Sequence, residues 1–155
     1  MPSNSSMNPM NTIWKSVWSL QVPRKIQMFM WRALKDSLPT KLNLKRRHIL
    51  MDLVCELCQS TTEDILHVVW RCPQVQSAWA KEDWMGEILK TEATELLDVW
   101  SRVSELKSPK ALALFSTMCW AFWNRRNKLK VHKPKEKLNR IASFVRGFLE
   151  EFRTC

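Results

Sequence analysis

The sequence predicts an all-α fold, a small helical domain with a C-terminal helical extension, and three features carry that expectation. Gly86 and Gly147 are the only glycines in 155 residues, too few for a sheet-and-turn protein, while seven prolines mark breaks between helices. Apolar residues recur at helical spacing in successive stretches of the chain. The segment CELCQSTTEDILHVVWRC then places Cys55, Cys58, His67 and Cys72 in the order C-x2-C-x8-H-x4-C. A C-x-x-C pair can turn two thiolates onto one cation. A histidine on a helix and a cysteine just past its end can complete a tetrahedron. Soft S3N ligands favour zinc, and four protein ligands leave no position open for water. The segment therefore predicts one structural Zn2+ that clasps the helical domain; the alternative is a set of free thiols beside a surface histidine.

Residues 1–11 are polar and proline-punctuated and are expected to be disordered. Residues 12–85 are expected to form the zinc-clasped domain and residues 92–155 the helical extension. Trp14 and Trp18, at i,i+4 spacing, predict a short helix with both rings facing the core. Pro23 suits the first position of the next helix, on which Ile26, Phe29, Met30, Ala33 and Leu34 form an apolar stripe. Leu38-Pro39 ends that helix. Thr40 can cap a third, which carries Leu42 and Leu44 and closes on Lys45-Arg46-Arg47-His48, a candidate phosphate contact whose cations also suit a helix C-terminus.

Thr62, Glu63 and Asp64 read as a helix start, a capping hydroxyl followed by acids. Ile65, Leu66 and Val69 supply its apolar face, and His67 leaves toward the Cys55–Cys58 turn. Pro73 opens a helix with Val75, Ala78 and Trp79 as buried positions. Ala93, Leu96, Leu97, Trp100 and Val103 make another stripe. Ser108-Pro109 opens a long helix to around Lys130, apolar almost all round from Ala111 to Trp123; such a helix is central to the core or presented to a partner. A basic end, Arg125, Arg126, Lys128, Lys130 and Lys133, follows. Pro134 opens a last helix with Leu138, Ile141, Ala142, Val145, Leu149 and Phe152 on one face.

The net charge of +10 is unevenly spread. Residues 1–54 carry nine Lys/Arg against two acids, residues 55–108 five against ten, and residues 109–155 eleven against three. Blocks of one sign exceed what solubility requires and attract polyanions by counterion release, so RNA or DNA is the expected partner. The longest apolar run is too short to span a bilayer, and no membrane partner is expected. An odd number of cysteines and no signal peptide argue against a disulfide framework; Cys119 and Cys155 read as a buried or tail thiol. The expected location is intracellular, nuclear and/or cytoplasmic, with organellar import left open.

Between Ile13 and Trp79 a series of motifs occurs in order. They are Trp14-x3-Trp18, Val22-Pro23-x-Lys25-Ile26-x2-Phe29-x-Trp31-Arg32, Leu38-Pro39-Thr40, Asn43-Leu44-x2-Arg47, Cys55-x2-Cys58, Glu63-x3-His67, Arg71-Cys72-Pro73 and Trp79. Together they resemble the zinc-binding domain of reverse transcriptases from plant non-LTR (LINE-type) retrotransposons. The resemblance implies that Cys55, Cys58, His67 and Cys72 are the zinc ligands and that the domain originates downstream of a polymerase. Trp120-x2-Trp123-x2-Arg126-Asn127 is similar to the segment that joins this domain to a ribonuclease H domain. Glu136, Glu150 and Glu151, the only acids after residue 108, do not supply the four carboxylates of a ribonuclease H. The chain is therefore expected to be a stand-alone fragment without either enzyme domain.

No catalytic constellation is evident. His48 lies in a basic run and His132 in a basic tail, and two isolated glycines make no phosphate-cradling loop. A zinc with four protein ligands does not activate water. The expected protein is not an enzyme and takes no small-molecule substrate. It binds nucleic acid through Lys45, Arg46 and Arg47 on one side and Arg125, Arg126, Lys128 and Lys130 on the other, with Trp31 or Trp70 available to stack on an unpaired base. The alternative is a protein-interaction adaptor that uses Trp- and Met-rich helices, self-associating through residues 111–123.

Overall fold

A computed structural model describes residues 9–49, 52–130 and 137–154. Within them lie α1 (Pro9–Trp18), α2 (Arg24–Leu34), α3 (Lys41–Arg46), α4 (Pro73–Trp79), α5 (Leu96–Ser104), α6 (Pro109–Lys130) and α7 (Leu138–Thr154). A π-helical turn, His67–Arg71, precedes α4, and two short 3-10 turns, Asp83–Met85 and Ile88–Lys90, link α4 to α5. Among the described residues no strand forms; Val54 and Thr62 make one isolated antiparallel bridge. None of the described helices is long and apolar enough to cross a membrane.

The helix starts follow local chemistry. Thr40 Oγ1 accepts the Asn43 N–H at 3.2 Å to cap α3. Pro73 occupies the first turn of α4, where its missing N–H is not needed. Glu95 and Asp98 form a reciprocal capping box on α5, and the Thr94 and Glu95 N–H groups hold the Asp98 carboxyl below its usual range. Ser108 Oγ accepts the Ala111 N–H at 3.1 Å at the start of α6.

Helix α6 is the axle. Ala113, Phe115, Ser116, Thr117, Met118, Cys119, Ala121, Phe122 and Trp123 are buried along it, and it packs on α2, α5, α7 and the π-helical turn. A helix apolar nearly all round buries that surface at the centre of the chain. Residues 111–123, expected as a possible self-association surface, are thus largely turned inward. Trp79 on α4 is fully buried, with Trp70, Trp84, Phe115 and Phe122 around it at centroid distances of 5.3 to 6.3 Å, and its Nε1–H donates to Val69 O at 2.8 Å. One continuous core runs from Ile13 to Leu149, so the C-terminal helices pack on the cysteine-rich segment.

Several expectations are corrected. Helix α1 begins at Pro9, inside the stretch 1–11 expected to be disordered; residues 1–8 lie outside the described residues. Ile13 and Val17 take the inward positions of α1, leaving Trp14 42% exposed and Trp18 half-buried. On α3 it is Lys41 and Asn43 that are buried while Leu42 and Leu44 are half-buried, because both polar side chains are satisfied internally. Lys41 Nζ donates to Val54 O at 2.7 Å and Asp52 Oδ2 at 3.1 Å, and Asn43 Nδ2 donates to Leu38 O at 2.8 Å. Helix α7 runs from Leu138; Pro134, expected to open it, lies outside the described residues, as do Lys133 and His132. Phe152 on α7 is 40% exposed.

Two ion pairs fasten the C-terminal helices. Glu63, 3% exposed, accepts from Arg126 Nη2 at 2.6 Å, Arg126 Nε at 3.0 Å and the Lys41 N–H at 2.9 Å. The Arg126 guanidinium also lies 4.6 Å from the Trp123 ring centroid. Glu82, equally buried, pairs with Arg146 of α7 and accepts the Trp84 Nε1–H. Removing one partner of a buried pair strands the other charge. Arg126→Met is therefore expected to destabilise the chain by about 3–5 kcal/mol in urea titrations. Adding Glu63→Gln should restore much of that loss, and a double variant no more stable than Arg126→Met contradicts the pairing.

Candidate metal centre

Two local devices bring the cysteines and histidine together. The first is the loop from Leu53 to Glu63. Its ends are joined by Glu63 N to Leu53 O at 2.8 Å and Cys55 N to Thr61 O at 2.8 Å. Inside it, Gln59 N donates to Cys55 O at 2.9 Å, Gln59 adopts φ 60°, and Leu57 N points at Cys55 Sγ at 3.3 Å. Such a turn presents Cys55 and Cys58 sulfurs on one side.

The second device is the π-helical turn. Positions five apart on an α-helix lie about 140° apart around its axis, on different faces. Here Cys72 N bonds to His67 O at 3.0 Å, an i to i+5 bond that widens the turn and lets His67 and Cys72 share a side. The expected Thr62 cap is not used. Asp64 Oδ1 accepts the His67 N–H at 2.8 Å instead, Thr62 is exposed on the bridge to Val54, and Glu63 turns inward to Arg126.

The result is one cluster. The ligand atoms of Cys55, Cys58, His67 and Cys72 lie within 4.8 Å of one another, with Cys55, His67 and Cys72 buried and Cys58 half-buried. A tetrahedron with Zn–S arms of about 2.3 Å has edges near 3.8 Å, so the cluster needs only slight contraction to hold zinc. His67 Nε2 lies 3.3 Å from Cys58 Sγ while Nδ1 lies 3.3 Å from Thr61 Oγ1. With Nε2 toward the metal, the Nδ1–H is left to donate to Thr61, the outer partner that fixes ring orientation.

The electrostatics suit a cation. The Cys72 S–H, outweighing burial and helped by His67, holds the Cys55 thiol down to about 3. Cys72, as the donor and a buried thiol, is pushed up. Burial would raise Cys58, but Ser60 and Thr61 hydroxyls and backbone N–H groups bring it to about 6. Burial lowers His67, yet Cys55 and Cys58 outweigh it and raise the imidazole. Cys55 and Cys58 thus favour the thiolate that zinc binds, while Cys72 keeps its proton until a metal displaces it. Three thiolates, a neutral imidazole and Zn2+ sum to one negative charge in a mostly buried site. Arg125 of α6, 8% exposed, lines the same small cavity as Cys55 and Cys72. Burial lowers its pKa and the Cys72 charge opposes that shift. Arg125 thus brings a positive charge to the cavity that borders the centre, as Arg126 does.

The family model for zinc-binding in reverse transcriptase matches residues 3–79. Residues 3–79 belong to the reverse-transcriptase zinc-binding family. The chain is also 28% identical over 72 residues to a ribonuclease H protein of Arabidopsis thaliana, a match that covers 46% of this chain and 12% of that relative's length. No solved structure matches the chain. This zinc-binding domain is of retrotransposon origin, and its single zinc is structural. When bound, the metal supplies coordination bonds between the loop and the π-helical turn.

The expected nucleic-acid residues divide. Lys45, Arg46 and Arg47 are exposed at the end of α3, and Lys128 is exposed on α6. Arg125 is buried beside the thiolates and Arg126 is bound to Glu63, so both serve the interior. The side chain of Lys130 lies outside the described residues. Trp70 is 2% exposed and closed to any base. Nothing in the spacing of Glu63 and Arg126, 63 positions apart, announces their pairing.

Cys58→Ser is expected to lose zinc and unfold at least residues 45–80, since structural zinc brings on the order of 10 kcal/mol of binding free energy. Metal analysis and circular dichroism check this; a folded, metal-free variant contradicts it. Arg125→Met should weaken zinc about 10- to 100-fold in chelator competition, with Arg125→Lys close to the parent. Equal affinity in all three chains would remove Arg125 from the centre.

Proposed function

We propose that this domain binds nucleic acid, RNA or DNA, without catalysing a reaction, and that the zinc serves to hold the binding surface in shape. The observation that carries the reading is the exposed Lys45-Arg46-Arg47 triplet, placed at the edge of the zinc segment on a buried footing. Lys41 ties α3 to Val54, one residue before Cys55, and the Glu63 carbonyl accepts the Leu42 N–H at 3.1 Å. Arg46 is held against Asn43 Oδ1 at 3.0 Å, which limits the entropy lost when it meets a phosphate. The triplet lies at a helix C-terminus, so part of its charge also complements the helix dipole.

Four protein ligands around the metal leave no position for a reacting water, in keeping with a binding role. The Arabidopsis relative is named as a ribonuclease H protein, and a nucleic-acid setting agrees with that name. Reduced thiols at the metal centre suit an intracellular setting, nuclear or cytoplasmic. The adaptor reading through residues 111–123 draws no support from α6, whose apolar side chains are largely used inside the chain.

Phosphate contacts release counterions, so affinity should fall linearly on a log–log plot against salt, with a slope near 0.7 to 0.9 per contact. Replacing Lys45, Arg46 and Arg47 together with alanine is expected to reduce that slope by about 2 to 3 and to weaken binding at low salt. Filter binding between 50 and 200 mM salt, roughly the range where such contacts are lost, reads both effects. Absence of binding by the parent chain at low salt, or a slope indifferent to the substitutions, sinks the proposal.

A further inference from the structure

The outer face of α1 and α2 holds a cluster that the zinc centre does not explain. Trp14 meets Trp18 and Trp31 edge-on, at centroid distances of 4.8 and 4.3 Å. Trp14 is 42% exposed, while Trp18 and Trp31 are half-buried. The core does not need Trp14 there, because Ile13 and Val17 fill the inward positions of α1. Arg24 lies 5.0 Å from the Trp18 ring and Lys35 5.3 Å from the Trp31 ring. Lys15, Arg24, Arg32 and Lys35 are exposed, while Lys25 turns away to the Trp120 and Phe148 rings; residues 9–35 contain no Asp or Glu. The first acid, Asp36, is met by Arg46 at 3.5 Å. That contact joins the tryptophan face to the α3 triplet.

We propose that the Trp14–Trp18–Trp31 face is a stacking platform for unpaired RNA, continuous with the basic end of α3. The inference rests on the nucleic-acid reading above and adds to it the state of the strand and a second part of the footprint. Aromatic rings with Arg24 and Lys35 against them fit a chain that alternates flat bases with negative phosphates. A duplex hides its base faces in the stack, whereas RNA loops, bulges and ends present them. An acidic protein could use the cations and offer an occasional aromatic side chain, but it does not repeat a flat ring beside every negative charge as a single strand does.

The test uses the full zinc-loaded chain, a single-stranded 12-nucleotide RNA and the same strand annealed to its complement. Fluorescence anisotropy is read for the parent, Trp14→Ala, Lys35→Gln and the triple alanine variant at Lys45, Arg46 and Arg47. Trp14→Ala is expected to weaken the single strand on the order of tenfold and to leave the duplex nearly unchanged. The triple alanine variant should weaken both probes. Lys35→Gln, an exposed change that leaves the rings in place, should weaken the single strand by a smaller factor and guards against a Trp14 variant that fails to fold. Parental single-strand affinity in both the Trp14 and Lys35 variants overturns the platform while leaving the phosphate reading intact. No binding of either probe by the parent chain removes both. A Trp14→Ala chain that changes from dimer to monomer with unaltered RNA affinity makes this face a self-association surface and overturns the proposal.

Discussion

Between α3 and α4 the chain has almost no repetitive structure to hold itself, and the four-ligand zinc centre supplies what is missing. One bridge and a few backbone hydrogen bonds close the loop around Cys55 and Cys58. The π-helical turn that carries His67 also buries Val68, Val69 and Trp70 against the rest of the core. Coordinating both elements to one ion fixes the loop to the turn, and the turn itself packs on α6. The Glu63–Arg126 pair fastens the same segment to the far end of α6. Metal and ion pair thus act on one stretch, and residues of both line the same small cavity. Arg125 of the same helix is buried and lines the cavity that Cys55 and Cys72 also line.

Much of this was legible in the sequence, for physical reasons. Ligand identity is a local property: thiols and an imidazole at C-x2-C-x8-H-x4-C have few other uses. The α2 stripe, Pro73 at the start of α4 and the span of α6 also depend on neighbours a few residues away. Most of the misreadings concern which side of an element faces inward. Trp14 and Trp18 share a face with Val17 near it, and only tertiary packing chose Ile13 and Val17 for the interior. Lys41 and Asn43, whose burial nothing in the sequence pattern signals, are buried because Asp52, Val54 and Leu38 satisfy them. The π-helical turn was invisible because its extra residue per turn leaves no mark in hydrophobic spacing.

Charge was the least transparent quantity. The basic end of α6 reads as a second anchor, yet Arg125 and Arg126 spend their charge on the zinc site and on Glu63. A count of lysines and arginines therefore overstates the surface available to a polyanion. Among the described residues, Arg24 and Lys35 lie against the rings of the tryptophan cluster, Lys15 and Arg32 are exposed on the same two helices, and the α3 triplet follows. The zinc centre works at one remove from this surface, through Lys41 and the loop it supports.

The claim on which the account depends is that Cys55, Cys58, His67 and Cys72 hold a single zinc with no water in its coordination shell. X-ray absorption at the zinc edge of the intact chain tests it directly. The account predicts one zinc per chain with three sulfurs at about 2.3 Å and one nitrogen at about 2.0 Å. Fewer than three sulfurs, or an oxygen ligand in place of one of them, would contradict it.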